Sequence, residues 1–171
     1  MLKFNVIVAT LIVIVYICSV RIEEAIQQKK FQSEYHKAQL NVLYTATWIN
    51  QMSNQALKPF GLSWQQFNVL RILRGLKGEP ATVKLLTERM IDKMSNASRL
   101  VDKLLKKGYV ERRTCPEDRR RVDVLLTAAG SQAVNEASDA ISEMMNDFNQ
   151  NILASEAVEL NRILDKLRSE D

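Results

Sequence analysis

SNASRLVDKLLKKGYVERRTCPEDRRRVDVLLT, residues 95–127, decides how the rest of the chain is read. Over residues 95–107 the apolar side chains recur at helical spacing. Ala97, Leu100, Val101, Leu104 and Leu105 fall on one face, and Asn96, Arg99, Lys103 and Lys106 or Lys107 on the other. Gly108 stops that helix. The runs YVERR and VDVLLT are short and β-prone, and between them lies a loop with Pro116 and three consecutive arginines. A hairpin is therefore expected, with Arg119, Arg120 and Arg121 near its tip.

Immediately upstream, residues 83–90 read as a short helix and 91–94 as a break. A short helix, a tight break and a longer helix make a helix-turn-helix, whose second helix enters the DNA major groove. Ser95, Asn96, Ser98 and Arg99 crowd the first turn of that second helix, with Lys103 one turn further on. Base edges are reached from this turn, where Arg matches guanine and Asn adenine, and free backbone N–H groups meet phosphate. An ordinary surface helix would show the same basic stripe. The basic hairpin that follows it is the distinguishing feature, since arginine suits the negative potential of a narrow minor groove.

Further out, Gly78 and Pro80 mark a turn, and SWQQFNVLRILRG (residues 63–75) reads as a helix capped by Ser63 and stopped by Gly75, with Phe67, Leu70 and Leu73 on one face. Residues 22–58 read as one helix, carrying Phe31, Tyr35, Leu40, Leu43, Ala46 and Trp48 and ended by Pro59 and Gly61. Downstream, Thr127 caps a helix over 128–149 with Val134, Ala137, Ile141, Met144 and Phe148 at spacings of three and four. Ser155 is expected to cap a last helix bearing Leu160, Ile163, Leu164 and Leu167. Met144 and Met145 read as packing residues, not a cofactor site.

At 171 residues one domain is expected, and 46% hydrophobic residues with five Gly and three Pro indicate a helix-rich globular chain. Cys18 and Cys115 do not make a disulfide framework. The net charge is +4, yet residues 93–121 hold ten Lys and Arg against four Asp and Glu, so the remainder is slightly acidic. A confined positive field fits a polyanion, of which DNA is the commonest. The single histidine, His36, lies among Lys and Gln with no metal-spaced cluster, and neither a Gly-rich phosphate loop nor a nucleophile motif is present. The expectation is a protein that is not an enzyme and needs no cofactor or metal.

The run LTERMIDKMSNASRLVDKLLKKGYVERRTCPEDRRRVDVLLTAAG (residues 86–130) resembles the multiple antibiotic resistance regulator (MarR) family. The matching residues are Ser98 and Arg99, then Leu104, Gly108 and Val110, then Asp118 and Arg120, then Val124, Leu126 and Thr127. The first pair matches approximately in register and the others closely, and the likeness covers about residues 22–167. The resemblance implies a mainly α fold with a small β-wing, a winged helix-turn-helix flanked by long N- and C-terminal dimerisation helices. It divides the chain into an apolar segment 1–20, a dimerisation helix 21–61, a DNA-binding module 62–127 and dimerisation helices 128–171. It further implies a homodimer on a pseudo-palindromic operator in double-stranded DNA, with Asp118 bracing the wing and Arg120 inserting from it. The function implied is transcription regulation in the cytoplasm, more often repression in this family, relieved by an unidentified small-molecule effector. The family's ligand cleft would bring in Tyr44, Trp48 and Phe67, although all three fit better as core aromatics.

Two features stand outside that reading. Residues 4–20 are apolar almost throughout and uncharged, at the short end of what spans a bilayer, and Lys3 favours a cytoplasmic N-terminus. No A-x-A site follows, and Cys18 is preceded by Ile17, so neither cleavage nor lipidation is supported. Either this segment anchors a regulator in the inner membrane, or translation starts at or near Val20 and residues 1–19 are an upstream extension. The second feature is Cys115, whose arginine neighbours would lower its pKa and give a redox-sensing alternative, although no resolving cysteine is near.

Overall fold

Local capping chemistry sets most helix ends, and burial then decides how the helices stack. The computed structural model describes residues 20–114 and 122–169; the segment 1–19 and the wing tip 115–121, with Cys115, Asp118, Arg119, Arg120 and Arg121, lie outside the described residues. The chain is mostly helical with one small antiparallel sheet, and it divides into two units, up to Ile49 and from Asn50 onward.

In the first unit the single helix expected over 22–58 is two helices, α1 (Ile22–Ala25) and α2 (Glu34–Leu57), the second of which runs on into the next unit. The break has identifiable causes. Gln27 takes φ +53°, the left-handed conformation that ends a helix, and Ser33 Oγ accepts from the His36 N–H at 3.1 Å, the N-cap pattern that starts a new one. The ends of this fold-back are tied by Lys37, whose Nζ donates to Glu23 Oε1 at 2.6 Å and stands 5.8 Å from the Phe31 ring centroid. That hydrogen bond holds the Glu23 carboxyl below its ordinary pKa. Phe31 meets His36 edge to face at 6.1 Å.

The second unit is built around α3 (Trp64–Gly75). Its start is a capping box: Ser63 Oγ accepts from Gln66 N–H at 3.3 Å, and Gln66 Oε1 accepts from Ser63 N–H at 3.1 Å. Phe67, Leu70 and Leu73 are buried as the sequence indicates, but so are Val69 and Ile72, so α3 is covered on more than one face and forms the centre of the core. A 3-10 turn (Lys58–Phe60) leads into it, with Gly61 left-handed at φ +62°. After α3 come the two-residue strand β1 (Ala81–Thr82), α4 (Val83–Arg89), α5 (Ala97–Lys106), β2 (Val110–Thr114), β3 (Val122–Leu126), α6 (Ala128–Asn151) and α7 (Ala154–Leu167). Sheet order is β1-β3-β2, all antiparallel, with Arg112 opposite Val124 and Ala81 opposite Val124 on its other edge. The hairpin is legible from sequence; β1 is not, being too short to carry an alternation.

Two junctions fix α5 and α6 against this core. The end of α5 is a Schellman turn: Gly108 has φ +71°, its N–H donates to Leu105 O at 2.9 Å, and the Tyr109 N–H reaches Leu104 O at 3.1 Å. Tyr109 O then accepts from the Thr127 N–H at 3.1 Å, and Thr127 Oγ1, besides donating to Gly108 O at 2.7 Å, caps α6 by accepting from the Gly130 N–H at 3.0 Å. A side chain at Gly130 would put Cβ 1.9 Å from Tyr109 O, so only glycine fits where α6 crosses this backbone. Arg74 of α3 closes the other side, donating to Ser138 Oγ at 2.8 Å and Asn135 Oδ1 at 3.0 Å on α6.

Val134 and Ala137 of α6 are buried, and Ile141, Met144 and Phe148 are partly so. The last helix starts two residues earlier than expected: Leu153 takes the N-cap position, its N–H donating to Glu156 Oε2 at 2.7 Å, and Ser155 lies inside α7.

Candidate nucleic-acid interface

The helix-turn-helix is α4 and α5 with residues 90–96 between them. Thr82 starts α4 by accepting from the Leu85 N–H at 3.1 Å, and Leu86 and Met90 sink into the core. The inner face of α5 is Ala97, Val101 and Leu104, all buried, with Leu100 partly covered. Leu105, expected on that face, is 40% exposed; it stands one residue beyond Leu104, and the helical turn carries it out of the core stripe.

The outer face holds Ser98, Arg99, Lys103 and Lys106, all exposed. Among the described residues neither the Arg99 guanidinium nor the Lys103 ammonium has an ion-pair partner, so both cations face solvent unneutralised. Lys107 is different: its Nζ donates to Gly61 O and lies 3.5 Å from Gln66 Oε1, which tethers it to the entry of α3. Asn96 is exposed but serves as the N-cap of α5, its Oδ1 accepting from the Arg99 N–H at 3.0 Å, and the helix proper begins at Ala97 rather than Ser95. Ser95 is half-buried and its hydroxyl donates to Asp92 Oδ2 at 2.7 Å. The residues expected at this helix start thus split into two kinds: Ser95 and Asn96 shape the turn, and Ser98 and Arg99 project from it.

The wing is fastened to the same helix. Arg112 of β2 reaches across to Asp102 of α5 at 2.6 Å, a pair that spacing in the sequence does not reveal because the two residues meet only once the chain has turned at Gly108. Asp123, opposite Arg113 on β3, is buried. Glu111, Arg112, Arg113 and Thr114 lead out toward the tip, where Arg119, Arg120, Arg121 and Asp118 lie outside the described residues.

The aromatic residues considered for an effector cleft are placed differently from one another. Phe67 is a core residue, stacked at a tilt on Trp64 with ring centroids 5.7 Å apart, whereas Tyr44 and Trp48 are exposed on α2. Among the described residues no helix is long and apolar enough to cross a membrane.

These elements, in this order, match known proteins. The family model described as MarR family matches residues 62–122. An uncharacterised HTH-type transcriptional regulator of Bacillus cereus is 32% identical over 112 residues, which cover 61% of this chain and 73% of that protein. The crystal structure of apo MarR from E. coli aligns with a TM-score of 0.61 at 25% identity, covering 75% of this chain and 94% of that one. A mutant E. coli MarR complexed with operator DNA has the same fold at a TM-score of 0.72 and 23% identity, covering 82% of this chain and all of that one. A helix-turn-helix seated on a central helix, a hairpin wing tied to it and a relative of this closeness leave one assignment: the chain belongs to the MarR family of DNA-binding, winged helix-turn-helix transcriptional regulators.

Proposed function

We propose that the protein acts as a homodimeric repressor that binds a pseudo-palindromic operator and releases it when a small-molecule effector binds. The observation that carries this reading is the outer face of α5. Ser98, Arg99 and Lys103 stand exposed on a helix whose opposite face is locked in the core, so charged and polar groups are held in place without being neutralised. A major groove needs such a pre-positioned face. Arg119, Arg120 and Arg121 then serve the adjacent minor groove from the wing, with Asp118 as its brace.

In this reading residues 62–127 are the DNA-binding module, and residues 21–61 and 128–171 provide the dimer contacts. What supports the dimer is that α7 buries none of its residues while exposing Val158, Leu160, Ile163 and Leu167, and that α2 exposes Val42 and Leu43. Apolar surface of this kind is covered by a partner, and a two-fold pair brings one recognition helix to each half-site. Tyr44 and Trp48 are the proposed effector contacts. The work is done in the cytoplasm, where the operator is.

Selection of duplexes from a random-sequence pool by the full-length protein tests this. Two chains per duplex and inverted half-sites about 10 base pairs apart are expected, with transcription falling when the operator is placed in a promoter. One chain per duplex would sink the dimer, and rising transcription would make the protein an activator. The apolar residues 4–20 favour one second reading, a membrane-anchored form of the same regulator. Recovery from membranes of native protein that still carries residues 1–19 decides for it.

A further inference from the structure

The turn between α4 and α5 carries two apolar side chains left in solvent: Ile91 is 65% exposed and Met94 is 93% exposed. The position of Met94 is nonetheless built. Asp92 closes the turn around it, its Oδ1 accepting from the Met94 N–H at 3.0 Å and its Oδ2 from the Ser95 hydroxyl at 2.7 Å, while the Ser95 N–H reaches Asp92 O at 3.3 Å. Two residues later Asn96 caps α5, so Met94 is presented at the end of the helix that carries Ser98 and Arg99. This methionine contributes no packing to the fold, and bare apolar surface on a fixed turn gains only when something apolar covers it.

A DNA major groove offers few apolar features to an incoming side chain. Its base edges present donors and acceptors, with the C5-methyl of thymine as the apolar exception. Methionine suits such a contact, because its unbranched thioether adapts to a small apolar target. We propose that Met94 is a specificity-determining residue that packs on a thymine C5-methyl group of the operator, beside the positions read by the first turn of α5. This rests on the placement of α5 in the major groove.

The test uses the full-length protein and a duplex selected by it from a random-sequence pool. Each thymine is replaced in turn by deoxyuridine, which removes the methyl group and keeps the base pair. At one thymine the replacement is expected to weaken the wild-type protein about fourfold, the cost of exposing roughly one methyl group. Met94→Ala should lose about the same factor on the unmodified duplex and be indifferent to deoxyuridine at that position. Met94→Leu, which keeps the apolar volume, should restore the discrimination. The salt dependence of Met94→Ala should equal that of the wild type, since no phosphate contact is removed. Because Met94 is exposed, both variants should keep the wild-type thermal midpoint. Wild-type affinity and wild-type deoxyuridine sensitivity in Met94→Ala would overturn the proposal. Arg99→Ala separates the two levels of failure. If it weakens binding while Met94→Ala does not, the methyl contact alone is wrong; if neither does, or no duplex is enriched, the placement of α5 fails and the methyl contact falls with it.

Discussion

α5 and α7 are both amphipathic helices, with apolar residues at spacings of three and four, yet the protein treats them in opposite ways. Ala97, Val101 and Leu104 of α5 are at most 3% exposed, whereas Leu160 and Ile163 of α7 are above 40%. The apolar stripe of α5 is satisfied inside its own chain, so its polar face is what remains to act. On α7 the polar face is ordinary and the apolar stripe is left over. The same pattern of residues thus means folding in one helix and, in the proposed dimer, association in the other, and only the packing tells which.

The largest effect that would test this contrast is on the dry side. Leu104→Ala should cost about 3 kcal/mol of stability in denaturant unfolding, because a fully buried leucine leaves a cavity in a core that α3 holds rigid. Gly130→Ala should follow at about 2 to 3 kcal/mol, since its new Cβ must push Tyr109 away and strain the Thr127 contacts. If either variant unfolds like the wild type, α5 and its exit are less firmly seated than described.

On the exposed side, Ile163→Glu should leave the folded chain intact but weaken self-association by about 2 kcal/mol, near thirtyfold in Kd by sedimentation. A loss of chain stability instead of association would mean that α7 belongs to the chain's own core. Arg99→Ala should reverse the pattern, keeping stability and association while costing about 1.5 kcal/mol of operator binding and relaxing one base position. The smallest effect is expected from Arg112→Ala. The side chains of Arg112 and Asp102 are 33% and 49% exposed, so their pair is worth no more than about 0.5 to 1 kcal/mol of stability, and the difference should fade in high salt.

Most of the fold is legible in the sequence where the cause is local. Ser63 with Gln66, Thr127 and Gly108 mark helix ends through bonds made within a few residues, and the basic hairpin between two β-prone runs is equally short-range. Legibility ends where the cause is distant or competing. The break at residues 26–33 follows from Gln27 in a left-handed conformation, which its side chain does not advertise, although Ser33 ahead of Glu34 is an available cap signal. Ser95 and Asn96, expected in the first turn of α5, lie ahead of it, Asn96 as its cap and Ser95 bonded back to Asp92. Hydrophobicity alone puts Leu105 inside, and periodicity passes over Val69 and Ile72 because a central helix has no single buried face. At the candidate site, Arg99 and Lys103 can be named from helical periodicity, but the Asp102 to Arg112 tie and the turn held by Asp92 exist only in three dimensions.

The contact of Gly130 with Tyr109 also has a mechanical meaning. With 1.9 Å between a would-be Cβ and a carbonyl oxygen, and with Thr127 bonded to both Gly108 and Tyr109, the joint from α5 to α6 has no slack. The 24-residue α6 is a lever about 36 Å long welded at one end to the exit of α5. Moving its far end by about 3 Å is a rotation of roughly 5° at the weld. The aim of α5, the helix proposed to read DNA, therefore depends, besides the face it buries, on a backbone joint that a single methyl group would pry open.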